Sequence, residues 1–242
     1  MKNYPPVGEV KGKKEQVEAM FDAIAPRYDM LNRALSMGID RGWRKKAIAR
    51  LRAEQPKRIL DVATGTADLA IAAAGLEPDK VVGVDISEQM LEVGREKVRG
   101  RGLSEVVTLQ RGDSEKLPFS DNQFDAALVA FGVRNFENLD RGLEQINRVL
   151  RPGSKLVVLE FSRPSVFPIK QLFGFYFKHV LPRIGGAVSK DKGAYQYLPD
   201  SVQTFPDGDA FLDRMHAAGF TNTEAERLTF GIASIYEGRA GG

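Results

Sequence analysis

RILDVATGTADL, residues 58–69, decides the fold. Ile59, Leu60 and Val62 make a short apolar run of the kind that forms a buried strand. An alanine-rich segment of helical character begins at residue 67. Between the two, small residues alternate: Ala63, Gly65 and Ala67. A strand-to-helix turn built from such residues lets a ligand come close to main-chain amides.

Outward from that turn the same alternation repeats. Strand-like runs fall at 58–63, 79–86, 105–113, 124–132 and 155–162, with helical stretches at 67–75, 87–100 and 138–150 between them. Strands alternating with helices predict an α/β fold, a doubly wound and mainly parallel sheet. FTNTEAERLTFGIASIYEG near the C-terminus reads as two further strands, an antiparallel pair that brings the sheet to seven. The chain is expected to be a single domain, 1–242, in four parts. Residues 1–54 are an N-terminal helical cover in which Pro26 and Gly38 separate three helices, after a loose tail at 1–13. Residues 55–162 are the core, 163–206 a helical insert, and 207–242 a terminal helix and the strand pair.

Composition narrows the function. There are no cysteines, which excludes disulfides, thiolate metal sites and cysteine nucleophiles and fits a reducing, cytoplasmic setting. The N-terminus lacks an apolar leader, and no stretch is long and apolar enough to span a bilayer. Net charge is +3, but residues 1–58 hold 14 Lys/Arg against 7 Asp/Glu. Such a basic third fits an anionic membrane surface or ligand, or an ordinary solvated helix face. No aromatic RNA-binding motif or zinc-ligand set accompanies it, so nucleic acid is not expected as a partner.

Asp85 ends the second strand, 20 positions after Gly65. A carboxylate there accepts hydrogen bonds from the two hydroxyls of a ribose, which makes the ligand a nucleoside. The dinucleotide glycine pattern is not met, and no phosphate-binding loop is present. The order of features instead resembles S-adenosylmethionine-dependent methyltransferases of class I, Rossmann-like in fold: a leading acid (Asp61), a small-residue loop, an acid at the second strand (Asp85) and another at the third (Asp113). Ala63 and Ala67 stand where that pattern has glycines. The resemblance implies S-adenosylmethionine as cofactor, with Asp85 at the ribose, Asp113 at the adenine amino group, Ser114 offering its backbone to the adenine, and Gly65 and Thr66 beside the methionine part. Each acid also has a plainer use. Asp61 and Asp113 suit turns, and Asp85 could cap a helix, although Ser87 suits that better.

Two longer stretches are more specific. YDMLNRALSMGIDRGW (28–43) and RVLRPGSKLVVLEFS (148–162), with FGVRN (131–135) and HVLPRIG (179–185), closely resemble the ubiquinone/menaquinone biosynthesis C-methyltransferases. The resemblance runs from about residue 15 to 238. Asp40 stands where the family usually has histidine, and Ser154 where it usually has glycine. This second resemblance implies methyl transfer to a ring carbon of a polyprenylated quinol, demethylmenaquinol foremost, with a benzoquinol as the variant.

A quinol carbon becomes nucleophilic as its O–H proton leaves, so the site must stabilise a developing phenolate. Arg134, just after the fourth strand, is the candidate for that role, and Asn135 could orient the same oxygen or cap the next helix. Tyr28 and Asp29, in the helical cover, are candidates for passing a proton; His179 is either a base or a structural histidine. In the insert, Ile169, Leu172, Phe173, Tyr176, Phe177 and Val180 form a helical stripe flanked by Lys170, Lys178 and Arg183. That stripe suits a prenyl channel, peripheral contact with the inner face of the cytoplasmic membrane, a homodimer interface, or simple packing on the sheet. The alternatives are an O- or N-methyltransferase of another apolar small molecule and, more remotely, a nonenzymatic binding module for S-adenosylmethionine or RNA.

Overall fold

The computed structural model describes residues 12–36, 38–176 and 192–241. Its centre is a seven-stranded sheet in the order β3-β2-β1-β4-β5-β7-β6. Strands β1 (Arg58–Val62), β2 (Lys80–Asp85), β3 (Val107–Arg111), β4 (Phe124–Ala130) and β5 (Leu150–Phe161) run parallel. β7 (Ala233–Ala240) lies antiparallel to β5, and β6 (Phe220–Leu228) closes the edge against β7. The expected terminal hairpin is therefore present. Its two strands are joined through Thr229–Gly231.

The parallel strands bury both faces, as a doubly wound sheet requires. On one face Leu60, Val62, Val129 and Val158 pack with Leu143 and Ile146 of α6 (Leu139–Val149) and Phe211 of α9 (Asp209–Ala217). On the other, Ile59, Val81, Leu128 and Val157 pack with Trp43 and Ile48 of α3 (Ile39–Ala49), with α4 (Asp68–Ala73) and with Val98 of α5 (Glu88–Gly100). Each fully buried aliphatic side chain contributes about 1.5–3 kcal/mol of transfer free energy. Ser87 caps α5 by accepting from Met90 N, and Asn138 caps α6 by accepting from Arg141 N. Those caps release Asp85 and Asn135 from the plainer uses their positions allowed.

The cover consists of α1 (Lys13–Ile24), α2 (Tyr28–Ser36) and α3, so the first helix starts within the stretch expected to be tail. Lys13 already docks, donating to the carbonyl of Phe136 at 2.5 Å. The insert supplies α7 (Ile169–Phe175) and α8 (Lys192–Thr204). Phe177, Lys178, His179, Val180 and Arg183 lie outside the described residues. Residues 52–54, expected to continue the third helix, form a separate turn instead, and β5 begins at Leu150, ahead of the run expected to form it.

Candidate active site

β1 and β4 are neighbours, while β2 follows β1 on the other side. This is the topological switch point, and the crevice beyond the carboxyl ends of these strands is where ligands of such sheets bind. A small cavity of about 70 Å³ opens there, lined by Ala63, Gly65, Asp85, Met90, Asp113, Ser114 and Asn135 among others.

The β1 loop is held in an uncommon conformation. Ala63, Gly65 and Ala67 have φ of +55°, +55° and +65°. Alanine in this left-handed region costs about 1–2 kcal/mol, and such strain collects where function over-determines the backbone. The two alanines thus keep the left-handed shape glycines adopt readily. Gly132 permits close approach of the β4 loop: a Cβ on it would lie 2.6 Å from Ala63 Cβ.

Buried acids hold the loop. Asp61 accepts from the Thr64 hydroxyl at 2.5 Å, and its other oxygen has no partner among the described residues. Burial pushes the Asp61 carboxyl up to about 7. Asp85 accepts from Gly65 N at 2.8 Å and from Ser87 N at 2.9 Å, and burial pushes it up to about 6. Of the residues expected at the donor, Gly65, Asp85, Asp113 and Ser114 line this cavity. Asp61 lies beneath it. Thr66 is buried, with its hydroxyl committed to Asp29 at 2.6 Å. The Asp29 carboxylate also receives Lys97 Nζ at 2.7 Å. Asp29 thus clasps α2 to the donor loop.

Other clasps fix α1 over the same opening: Lys14 pairs with Asp113, Glu18 with Arg111 at 2.5 Å, and Asp22 accepts from the Ser87 hydroxyl at 2.5 Å. None of these α1 partners was evident from the linear sequence.

A second, much larger cavity of about 520 Å³ lies under the cover and insert. Its walls are mainly apolar, including Met20, Ile24, Leu31, Trp43, Phe161, Ile169, Leu172 and Tyr176. Phe21, Tyr28 and Phe131 line both cavities, so the two meet there. Arg134 lines the large cavity and its neighbour Asn135 the small one. Tyr197 of α8 lines the large cavity and donates to Asn135 Oδ1 at 3.1 Å, a bond across the junction that the sequence did not suggest. Tyr28, hydrogen-bonded to Asn32, is held above the usual phenol range by burial. Arg134 forms an ion pair, but not at a surface: its Nη1 donates to Glu160 Oε1 at 2.7 Å, and the two side chains are 7% and 0% exposed. Asp40, the departure from the family pattern, also lines this cavity. Its carboxylate is engaged by the Ser36 hydroxyl at 2.6 Å and by Arg44.

The donor set fits S-adenosylmethionine. A carboxylate at the β2 end suits the ribose, a second one beyond β3 with the Ser114 backbone suits the adenine, and the left-handed loop brings Gly65 to the cavity wall beside them. Sheet order and site together define a class I S-adenosylmethionine-dependent methyltransferase. Solved structures share the fold at low identity. The [4+2]-cyclase SpnF superposes with a TM-score of 0.69 at 18% identity, covering 96% of this chain and 98% of that one. A possible histamine N-methyltransferase from Thermotoga maritima gives 0.65 at 20%, covering 93% and 99%.

Within that class the chain belongs to the ubiE/COQ5 methyltransferase family, whose model matches residues 9–240. A demethylmenaquinone methyltransferase of Bacteroides fragilis is 50% identical over 240 residues, 97% of this chain and 98% of the relative. A ubiquinone/menaquinone biosynthesis C-methyltransferase UbiE of Geotalea daltonii is 47% identical over 228 residues, 93% and 97% respectively.

Proposed function

We propose that this chain, a single methyltransferase unit, moves the methyl group of S-adenosylmethionine to a ring carbon of a polyprenylated quinol, demethylmenaquinol first. The observation that carries this reading is the apolar cavity of about 520 Å³ meeting the donor cavity at Phe21, Tyr28 and Phe131. A polar acceptor needs no such lining; a prenyl chain does.

The cofactor supplies an electrophilic methyl group. The chain's own residues do the rest. Asp85 and Gly65 hold the donor's ribose and methionine parts, and Asp61, through Thr64, fixes the loop that carries them. Asp113 and Ser114 face the adenine. The apolar walls exclude water and place the ring by its tail. Arg134 stabilises the negative charge that grows on the quinol oxygen, where a low-dielectric surround strengthens its effect. Asn135, steadied by Tyr197, orients that oxygen, and the Tyr28 hydroxyl is within the same space to hand on a proton.

Among the described residues no helix is long and apolar enough to cross a membrane. The cavity mouth nevertheless exposes Ile39, Leu172 and Phe175, with Phe167 (77% exposed) and Phe230 (73%) flanking it in sequence. Exposed Arg41, Lys45 and Lys170 lie on the same helices. This combination suits peripheral contact with an anionic bilayer at the inner face of the cytoplasmic membrane, from which the substrate would be drawn. Flotation with anionic vesicles tests it: the protein should rise with them and Phe167→Asp/Leu172→Asp should not. A second copy of the chain is the rival occupant of the rim, and sedimentation at rising concentration would show it as a homodimer.

The reaction is tested with methyl-labelled donor and two reduced acceptors in detergent, a short-prenyl demethylmenaquinol and the matching benzoquinol. Label on a ring carbon of the naphthoquinol is expected. Label on oxygen, or transfer to neither acceptor with the donor bound, favours an O- or N-methyltransferase.

A further inference from the structure

An arginine carries a long flexible side chain, and in an apolar cavity little fixes its direction. Arg134 is gripped from behind. Nη1 donates to Glu160 Oε1 at 2.7 Å and also to the carbonyl of Phe131. The guanidinium carbon stacks 5.5 Å from the centre of the Phe161 ring. Glu160 sits at the end of β5, and Oε1 also accepts from Phe161 N at 2.8 Å. The carboxylate is wholly enclosed.

As a stabilising device this pair is poor. Burying two charges costs about what their attraction returns, and well-packed apolar replacements are as stable or more so. This pair is also incompletely satisfied: Arg134 Nε and Glu160 Oε2 are buried with no partner among the described residues. Its value must lie elsewhere. Arg134 lines the large cavity, its neighbour Asn135 lines the small one, and Phe131, whose carbonyl Arg134 also bonds, lines both, which puts the guanidinium beside the place where charge would develop on an acceptor.

We propose that Glu160 is a positioning residue: its buried carboxylate locks the Arg134 guanidinium in the wall of the large cavity beside the junction, so that the donors Arg134 has not committed to protein face the acceptor oxygen. This rests on the quinol methyltransferase reading above. Glu160 acts through Arg134 and does not itself meet the substrate. An unanchored guanidinium would occupy the cavity in several orientations, few of them productive, and the loss would fall on the transfer step and not on binding.

Glu160→Gln and Glu160→Asp test this. Donor affinity is read by calorimetry with S-adenosylhomocysteine. Acceptor binding is read from fluorescence of Trp43, the chain's single tryptophan, which lines the large cavity. Transfer is read in single turnovers with both ligands saturating. Glu160→Gln should slow transfer by at least ~30-fold with both affinities within ~3-fold of the parent, and Glu160→Asp should recover part of the rate. Wild-type transfer rates in Glu160→Gln, or a loss that merely follows weakened binding, would overturn the proposal. Because glutamine leaves a buried cation unpaired, a second variant removes the stability question. Arg134→Met/Glu160→Leu should melt no lower than the parent yet fail to transfer. A clearly lower Tm would mean that the pair is a structural device, and this holds whatever the acceptor proves to be. A wild-type enzyme that methylates no quinol counts against the quinol reading itself.

Discussion

The donor and acceptor sides of this molecule are built on opposite plans. The donor cavity lies at the ends of parallel strands. Main-chain amides, a left-handed loop and fixed carboxylates shape it, and the helical cover adds its outer wall. The proposed acceptor cavity is several times larger and mainly apolar, assembled from the N-terminal cover, the insert and core residues such as Phe131 and Phe161. Fixed backbone and carboxylate geometry suits a polar nucleoside whose groups are few and fixed. Apolar side chains suit a ligand that is long, flexible and greasy, because burial there is non-directional.

That contrast can be broken most forcefully beside the junction. Arg134→Met should lower the transfer rate by about 10²–10³-fold, the range for loss of a preorganised oxyanion donor, with donor affinity unchanged by calorimetry. Comparable loss of donor affinity would mean that the two sides are not separate. Next in size, Asp85→Ala should weaken donor binding by about 100-fold, equivalent to about 2.7 kcal/mol, and leave Trp43 quenching by a short-prenyl quinone intact. Filling the large cavity with Leu31→Trp should raise the quinol KM by about 10-fold, more for long prenyl chains than short, and spare the donor.

The smaller effects concern pH. Asp85 lies near 6 in the fold, so donor affinity should fall as pH drops below that value and the carboxylate protonates. Asp61 lies near 7, while an unfolded aspartate titrates at about 3.9. From about pH 4 to 7 the folded chain therefore holds protons that the unfolded chain has released, and these two groups make stability fall as pH rises through that window. Asp61→Asn should gain stability relative to the parent between pH 5 and 8 in urea melts. An unchanged difference across that range would show that Asp61 is ionised throughout.

The two plans also differ in how far the sequence discloses them. The donor side is local. RILDVATGTADL and VVGVD carry their strand, turn and acid together, so Asp85, Gly65 and the alternation of strands with helices could be read directly. Ala63 and Ala67 departed from glycine in the pattern but not in conformation. The acceptor side is assembled from distant segments, and periodicity gave only its apolar stripe. In the linear sequence Thr66 and Asp29 suggest separate roles, yet they bond to each other, a pairing that depends on where α2 docks. Tyr197 left no signal in its own stretch. Glu160 did leave one: it is the lone charge in the apolar run LVVLEF, and a charge inside a central strand needs a partner.

Donor and acceptor must occupy separate, adjoining sites at once for the methyl group to pass between them. The most direct measurement titrates a short-prenyl quinone into the protein, with and without saturating S-adenosylhomocysteine, while following Trp43 fluorescence. Saturable quenching with similar affinity in both titrations is expected. Quenching that S-adenosylhomocysteine abolishes competitively would put both ligands in one cavity and contradict the two-site arrangement.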